Sequence, residues 1–329
     1  MPGHAPRLAI EYVHADPASV LATDDVLAVF GFGARAPVVD DPRYLRVSLE
    51  PHGDAPLEVW RSTGPVRHGI RDGVAWAEAD GLQFGAIELD ETGPDGLEEA
   101  AADTYRRLRG FVAGQGHPHL LRVWNYLDAI TEGEDDAERY RRFCLGRAAG
   151  LGRFDTATLP AATAIGRLDG RRSLQVYWLS GTRPGFPLEN PRQLSAYRYP
   201  RRYGPQAPSF ARAMLPPAGS DMPLLLSGTA AIVGHESQHV DSLATQLDET
   251  LANFQALIGA ARGHRSSLPP AFGPGSRLKV YVRDADALEP ADALLRDRLG
   301  DQVPYLLLHA AVCRRELRIE IDGIHDDAR

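Results

Sequence analysis

Lysine is almost missing from this chain. Lys279 is the single lysine, so the other 35 of the 36 basic residues are arginines. Cysteine is nearly as scarce, and Cys144 and Cys313 are too few for a disulfide framework or a thiolate metal cluster. No apolar run reaches the ~18 residues of a membrane span. Positive charge is in deficit: 36 basic against 44 acidic residues leave −8, which opposes general binding to nucleic acid or an anionic membrane. The start Met1-Pro2-Gly3-His4 has no apolar signal core, and a cytoplasmic protein is expected.

What is present is an ordinary globular balance. At 43% hydrophobic and 24% charged, the 329 residues are too apolar for disorder and long enough for about two domains. The arginine bias has a bland source in a GC-rich genome. It also supplies rigid guanidinium forks that suit carboxylates.

Strand-like runs are predicted at 8–13, 26–30, 44–49, 57–61, 73–77 and 82–88. A helix follows over 96–113, where Tyr105, Leu108 and Phe111 form one buried stripe. A strand at 119–126, a helix at 135–149 and strands at 162–167 and 173–180 close the first half. Residues 181–209 hold six prolines and cannot be a regular helix. Domains of 1–190 and 191–329 are expected. The second half predicts strands at 223–227 and 229–233, an amphipathic helix over 236–261, a strand at 278–282, a helix at 288–299, and strands at 303–311 and 316–323. The fold class is α+β, with mixed sheets and helices packed on one face.

Two patterns are decoys. His235-Glu236-Ser237-Gln238-His239 matches the zinc-protease H-E-x-x-H, but it sits after Gly234 at the start of its expected helix, among polar residues. Gly31-Phe32-Gly33-Ala34-Arg35-Ala36 fits a dinucleotide loop on paper. Pro37-Val38-Val39 forbids the helix such a site needs. Neither a P-loop nor a G-x-S-x-G elbow is present.

The second half is similar to the RidA/YjgF fold. The similarity rests on Tyr203-Gly204-Pro205, Leu224-Leu225-Leu226-Ser227-Gly228, Gln246 and Asn253, and the strands 278–284 and 317–323. The whole chain resembles the narrower chorismatase family, built from two such halves. That resemblance lies in Trp124-Asn125-Tyr126, Tyr140 through Phe143-Cys144-Leu145-Gly146-Arg147, and Pro160-Ala161-Ala162-Thr163. It continues in Tyr199, Phe210-Ala211-Arg212-Ala213, Ser227-Gly228-Thr229-Ala230, Cys313-Arg314-Arg315 and Glu320.

The resemblance implies cleavage of chorismate with release of pyruvate. Chorismate is then the expected partner, no metal or organic cofactor is expected, and a homotrimer is the expected assembly by likeness to RidA. Arg147 and Arg212 would hold carboxylates, with Tyr140 and Tyr199 donating hydroxyl hydrogen bonds. Glu320 would protonate the enolpyruvyl methylene, which needs a buried carboxyl. Family hydrolases carry alanine where Gly228 stands. Members that aromatise the ring carry glycine there and a cysteine at Cys313. Hydroxybenzoate products are therefore expected, and overall similarity points to the branch that makes both 3- and 4-hydroxybenzoate, of use in pigment or quinone supply. Cys144 reads as core, and Trp124 and Asn125 as the frame of the cleft.

Read from residues alone, Glu320 has competing fates. Strand alternation puts Arg318, Glu320 and Asp322 on one face, which by default is solvated. Cys313 and Glu320 are seven apart, so a regular strand would aim them oppositely. They share a site only if a bend intervenes. The alternatives are a hydrolase giving a dihydroxycyclohexadiene carboxylate, and a RidA-like imine deaminase or small-molecule binder using Arg314 or Arg315.

Overall fold

The computed structural model describes residues 6–93, 95–152 and 155–327; the opening Met1–His4 stretch lies outside them. Side-chain alternation decides how its sheets stack. In His119–Asp128, Val123 and Leu127 face one way into an apolar layer with helices, while Trp124 and Tyr126 face the other. In Ile319–His325, Ile319 and Ile321 pack under the second helical layer, and Glu320 and Asp322 turn inward. Each sheet thus has a helical side and an inner side, and the two inner sides meet.

The first large sheet has six strands in the order Ala161–Arg167, His119–Asp128, Ser173–Gly181, Leu82–Asp90, Val74–Ala79, Arg67–Arg71. The second has seven: Phe186–Leu188, Ala213–Leu215, Leu224–Ala230, Ile319–His325, Arg277–Val282, Tyr305–His309 and Glu50–Pro51. The halves repeat one device. His119–Asp128 runs parallel to Ala161–Arg167 across the helix Arg139–Leu151, and Arg277–Val282 runs parallel to Tyr305–His309 across the helix Leu288–Leu299. A four-stranded sheet (Ala9–Val13, Leu57–Arg61, Val26–Phe32, Tyr44–Val47) packs its Phe30 and Trp60 onto the inner layer. The architecture is α+β with mixed sheets, as expected. No helix among the described residues is long and apolar enough to cross a membrane.

In the first half, the helices Gly96–Gly114 and Arg139–Leu151 pack closely because the second presents Gly146 and Gly150 to the first. A Cβ on Gly146 would overlap the carbonyl of Glu98, and one on Gly150 would stand 2.5 Å from that of Ala102. Only glycine permits this approach, and it sets the depth at which Arg147 sits.

Several expectations need correction. The helix expected from 236 begins only at Leu243, capped by Ser242, whose hydroxyl accepts from Thr245 N at 3.3 Å. Glu236–Ser237 instead pairs with Ile232–Val233 as a short ribbon, and His239 turns the chain with a φ of 54°. The H-E-x-x-H pattern therefore has no helical i, i+4 face. His235 Nδ1 meets Tyr203 and His239 Nε2 meets Glu249. The exposed edge strand Arg67–Arg71 and the short helix Pro17–Leu21 carry too little apolar periodicity to have been foreseen.

Candidate active site

The cavity of about 300 Å³ between the two halves is lined by Tyr140, Arg147, Tyr199, Arg212, Gly228, Cys313 and Glu320. All seven residues singled out in the sequence thus reach one place. Tyr140 and Arg147 come from the helix Arg139–Leu151, Tyr199 from a 3₁₀ turn of the proline-rich stretch, and the remainder from the second half. Cys144 lines the cavity as well, so it is more than core.

Ala161–Arg167, at the edge of the first large sheet, and Leu224–Ala230 of the second build the floor. Ala162 N donates to Ser227 Oγ at 2.9 Å, and Gly228 N donates to Thr163 Oγ1 at 2.9 Å. Opposite Ile319–His325 the register shifts between Leu226 and Thr229, so that Ser227 and Gly228 form a bulge. Bulges of this kind re-aim backbone beside active sites. Here the bulge brings Gly228 under the Glu320 carboxyl: a Cβ on Gly228 would fall inside contact distance of Glu320 Oε1.

Glu320 is 5% exposed, so the solvated-face alternative does not hold. Burial, reinforced by the neighbouring Asp322 carboxylate, pushes its carboxyl up to about 8, against the opposing pull of Arg122, Arg212 and Arg314. Cys313 does share the site. The chain leaves extended conformation after Val312 and turns, with Leu317 N donating to Arg314 O at 3.1 Å, before the strand begins at Ile319. This bend removes the parity of a seven-residue spacing. Burial, ahead of the Glu320 charge, pushes the Cys313 thiol up, and burial pushes Cys144 up to about 12.

The two arginines are held yet incompletely used. Arg147 Nη1 donates to Ser209 O at 2.7 Å; among the described residues its Nε and Nη2 have no acceptor. Arg212 donates from Nη2 to Leu194 O at 2.9 Å and to Tyr199 Oη at 2.8 Å, and its Nε is unpaired among the described residues. Unpaired N–H groups on buried guanidinium ions are costly unless an anion completes them. The arrangement can take a small dicarboxylate beside a protonated carboxyl.

Behind the floor lies a charged network that sequence reasoning missed. Asp322 accepts from Trp124 Nε1 (3.1 Å) and Tyr281 Oη (2.9 Å), and it pairs with Arg122 at 3.3 Å and Lys279 at 3.9 Å. Lys279, the one lysine, pairs in turn with Glu58 at 3.0 Å. Trp124 thus belongs to this network, while Asn125 does line the cavity. The signal lay in the alternation of Arg122 with Trp124 and Tyr126 on an otherwise apolar strand. A lone charge there reads as an edge until its partners on another strand are known.

Comparisons with known proteins point one way. Residues 58–180 match the family described as Chorismatase FkbO/Hyg5-like, N-terminal. A chorismatase of Streptomyces rapamycinicus is 37% identical over 276 residues, 81% of each chain. A 3-hydroxybenzoate synthase of Streptomyces hygroscopicus is 32% identical over 287 residues, 84% of this chain and 83% of that one. A crystal structure of a chorismatase superposes with a TM-score of 0.84 and 31% identity, covering 99% of both chains.

Proposed function

This chain belongs to the chorismatase family, and from that premise we propose that it cleaves chorismate, releasing pyruvate and leaving the ring as 3- and 4-hydroxybenzoate. One observation carries the reading: a buried carboxyl, Glu320, pushed up to about 8, stands over a glycine in a cavity lined by incompletely paired arginines.

At neutral pH Glu320 is then protonated and acts as a general acid. Its proton goes to the enolpyruvyl methylene, which becomes a methyl group. The bond between ring carbon and bridging oxygen breaks, and its electron pair becomes part of the pyruvate carbonyl. The neighbouring ring hydroxyl attacks the carbon being vacated and loses its proton to the Glu320 carboxylate, restoring the acid. The resulting arene-oxide-like ring opens and aromatises. The thiol of Cys313, kept protonated by burial, is placed to assist those later proton transfers.

Arg147 and Arg212 hold the two carboxylates, with Tyr140 and Tyr199 at their sides. We assign Tyr140 and Arg147 to a first domain, 1–190, and the acid to a second, 191–329, so that substrate bridges the two. The test is incubation with chorismate, with products identified by chromatography and NMR, alongside Glu320→Gln. Pyruvate and hydroxybenzoates from the wild type, and none from the variant, are expected. Pyruvate with a dihydrodiol would overturn the aromatising outcome, and no turnover would overturn the reading altogether.

A further inference from the structure

Thr163 lines the cavity, is 2% exposed, and has an unusual hydrogen-bond count. Its Oγ1 accepts from Arg122 Nη2 at 2.5 Å and from Gly228 N at 2.9 Å. A hydroxyl has two acceptor lone pairs and one donor hydrogen. Both lone pairs are occupied by N–H groups, and among the described residues nothing accepts the hydrogen. The donors are not free to leave. Arg122 is fully buried, fixed by Val123 O at 2.8 Å and by the Asp322 carboxylate, and the Gly228 amide is pinned in the bulge.

Thr163 is therefore locked as a donor and has no lone pair with which to serve as a base. It also flanks the reacting position. A Cβ on Gly228 would meet Glu320 Oε1 on one side and the Thr163 methyl, Cγ2, at 3.3 Å on another, while the Thr163 hydroxyl holds the Gly228 amide, so the acid and Thr163 border the same opening.

We propose that Thr163 is a catalytic residue of the cleavage reaction, donating its hydroxyl hydrogen to the bridging oxygen as that oxygen becomes the keto oxygen of pyruvate. This rests on the reading above. The carboxylates of the substrate call for guanidinium partners, which leaves a neutral donor for a neutral oxygen. In the enol ether that oxygen is a poor acceptor, because its lone pair is delocalised into the double bond. When the ring carbon–oxygen bond breaks, the bond's electron pair stays on oxygen and the carbonyl formed is a good acceptor. The hydrogen bond strengthens towards the transition state, so it acts on kcat rather than on KM.

The experiment compares Thr163→Val, which keeps the shape, with Thr163→Ser, which keeps the hydroxyl, following pyruvate release from chorismate. The wild type serves as the gate: if it releases no pyruvate, the cleavage reading itself falls and the role of Thr163 with it. Given wild-type turnover, T163V is expected to lose about 10²-fold in kcat, with KM within about threefold and T163S near wild type. A T163V kcat within about threefold of wild type overturns the role of Thr163 while the cleavage reading stands. So does a raised KM at unchanged kcat. Should T163V lack a cooperative melting transition, Thr163→Ala against Thr163→Ser isolates the hydroxyl with the methyl group absent from both, and the same kcat ratio decides.

Discussion

Gly228 and Glu320 share one space: the Glu320 carboxyl occupies the room that a side chain on residue 228 would need. The bulge at Ser227–Gly228 creates that overlap, and the backbone pairing with Ile319–His325 and the Thr163 hydroxyl hold it. Gly228→Ala is therefore expected to push the carboxyl off its position. Loss of rate and a rising share of dihydrodiol at the expense of hydroxybenzoate should follow, read by NMR of the product mixture. An unchanged product ratio would separate the glycine from product choice.

Glu320 makes activity and stability depend on pH with a defined sign. The proposed acid must be protonated, so kcat is expected to fall as pH rises through about 8. The unfolded carboxyl titrates near 4.5 and the folded one near 8, so between these values the unfolded chain sheds a proton that the folded chain keeps. Stability contributed by the neutral form is complete below about 4.5 and is lost as pH climbs to about 8. Glu320→Gln, expected to be inactive, should be more stable than wild type at pH 9 by on the order of 3–5 kcal/mol and nearly equal to it at pH 4. Denaturant unfolding at the two pH values measures the difference.

Arg147 should not tolerate lysine. Its unpaired Nε and Nη2 form the free part of a planar fork whose other arm is spent on Ser209 O, and an ammonium ion cannot do both. Arg147→Lys is expected to raise KM by about 10-fold or more, with the fold intact by circular dichroism.

The cavity is positive in a negative protein. Arg141, Arg147, Arg202, Arg212, Arg314 and Arg315 line it against Glu138, Glu316 and Glu320, while the chain as a whole carries −8. A doubly anionic substrate is drawn to such a mouth, so kcat/KM should fall with added salt while kcat holds. Stopped-flow or initial-rate measurements over a range of sodium chloride concentrations test this.

Asp322 ties the halves together. Asp322→Ala would strand Arg122 and Lys279 in the interior, with Glu58 alone to balance them. A loss of about 3–5 kcal/mol is expected by chemical denaturation. Asp322→Asn, which still accepts from Trp124 and Tyr281, should lose less.

Much of the fold was legible before any coordinates. The helix Leu288–Leu299 and the strand Leu57–Arg61 lie where the sequence pattern places them, because their apolar periodicity is local. The helix Leu243–His264 starts later than its sequence pattern suggests, since the polar run 235–242 suits a helical first turn as well as a ribbon. Only the pairing of Val233 with Glu236 distinguishes them.

By itself the sequence determined composition, element types, the alternation that turns Glu320 and Asp322 to one side, and a resemblance that singled out seven site residues. These are properties of short windows or of matched motifs. Tertiary structure decided the rest. It converted a polar strand face into a buried one by laying the other half's sheet across it, and it bent the chain at 313–318 so that Cys313 and Glu320 meet. It also found partners for Lys279 more than two hundred residues away, at Glu58. Burial and charge pairing depend on what lies across a sheet interface, and spacing along the chain does not encode that distance.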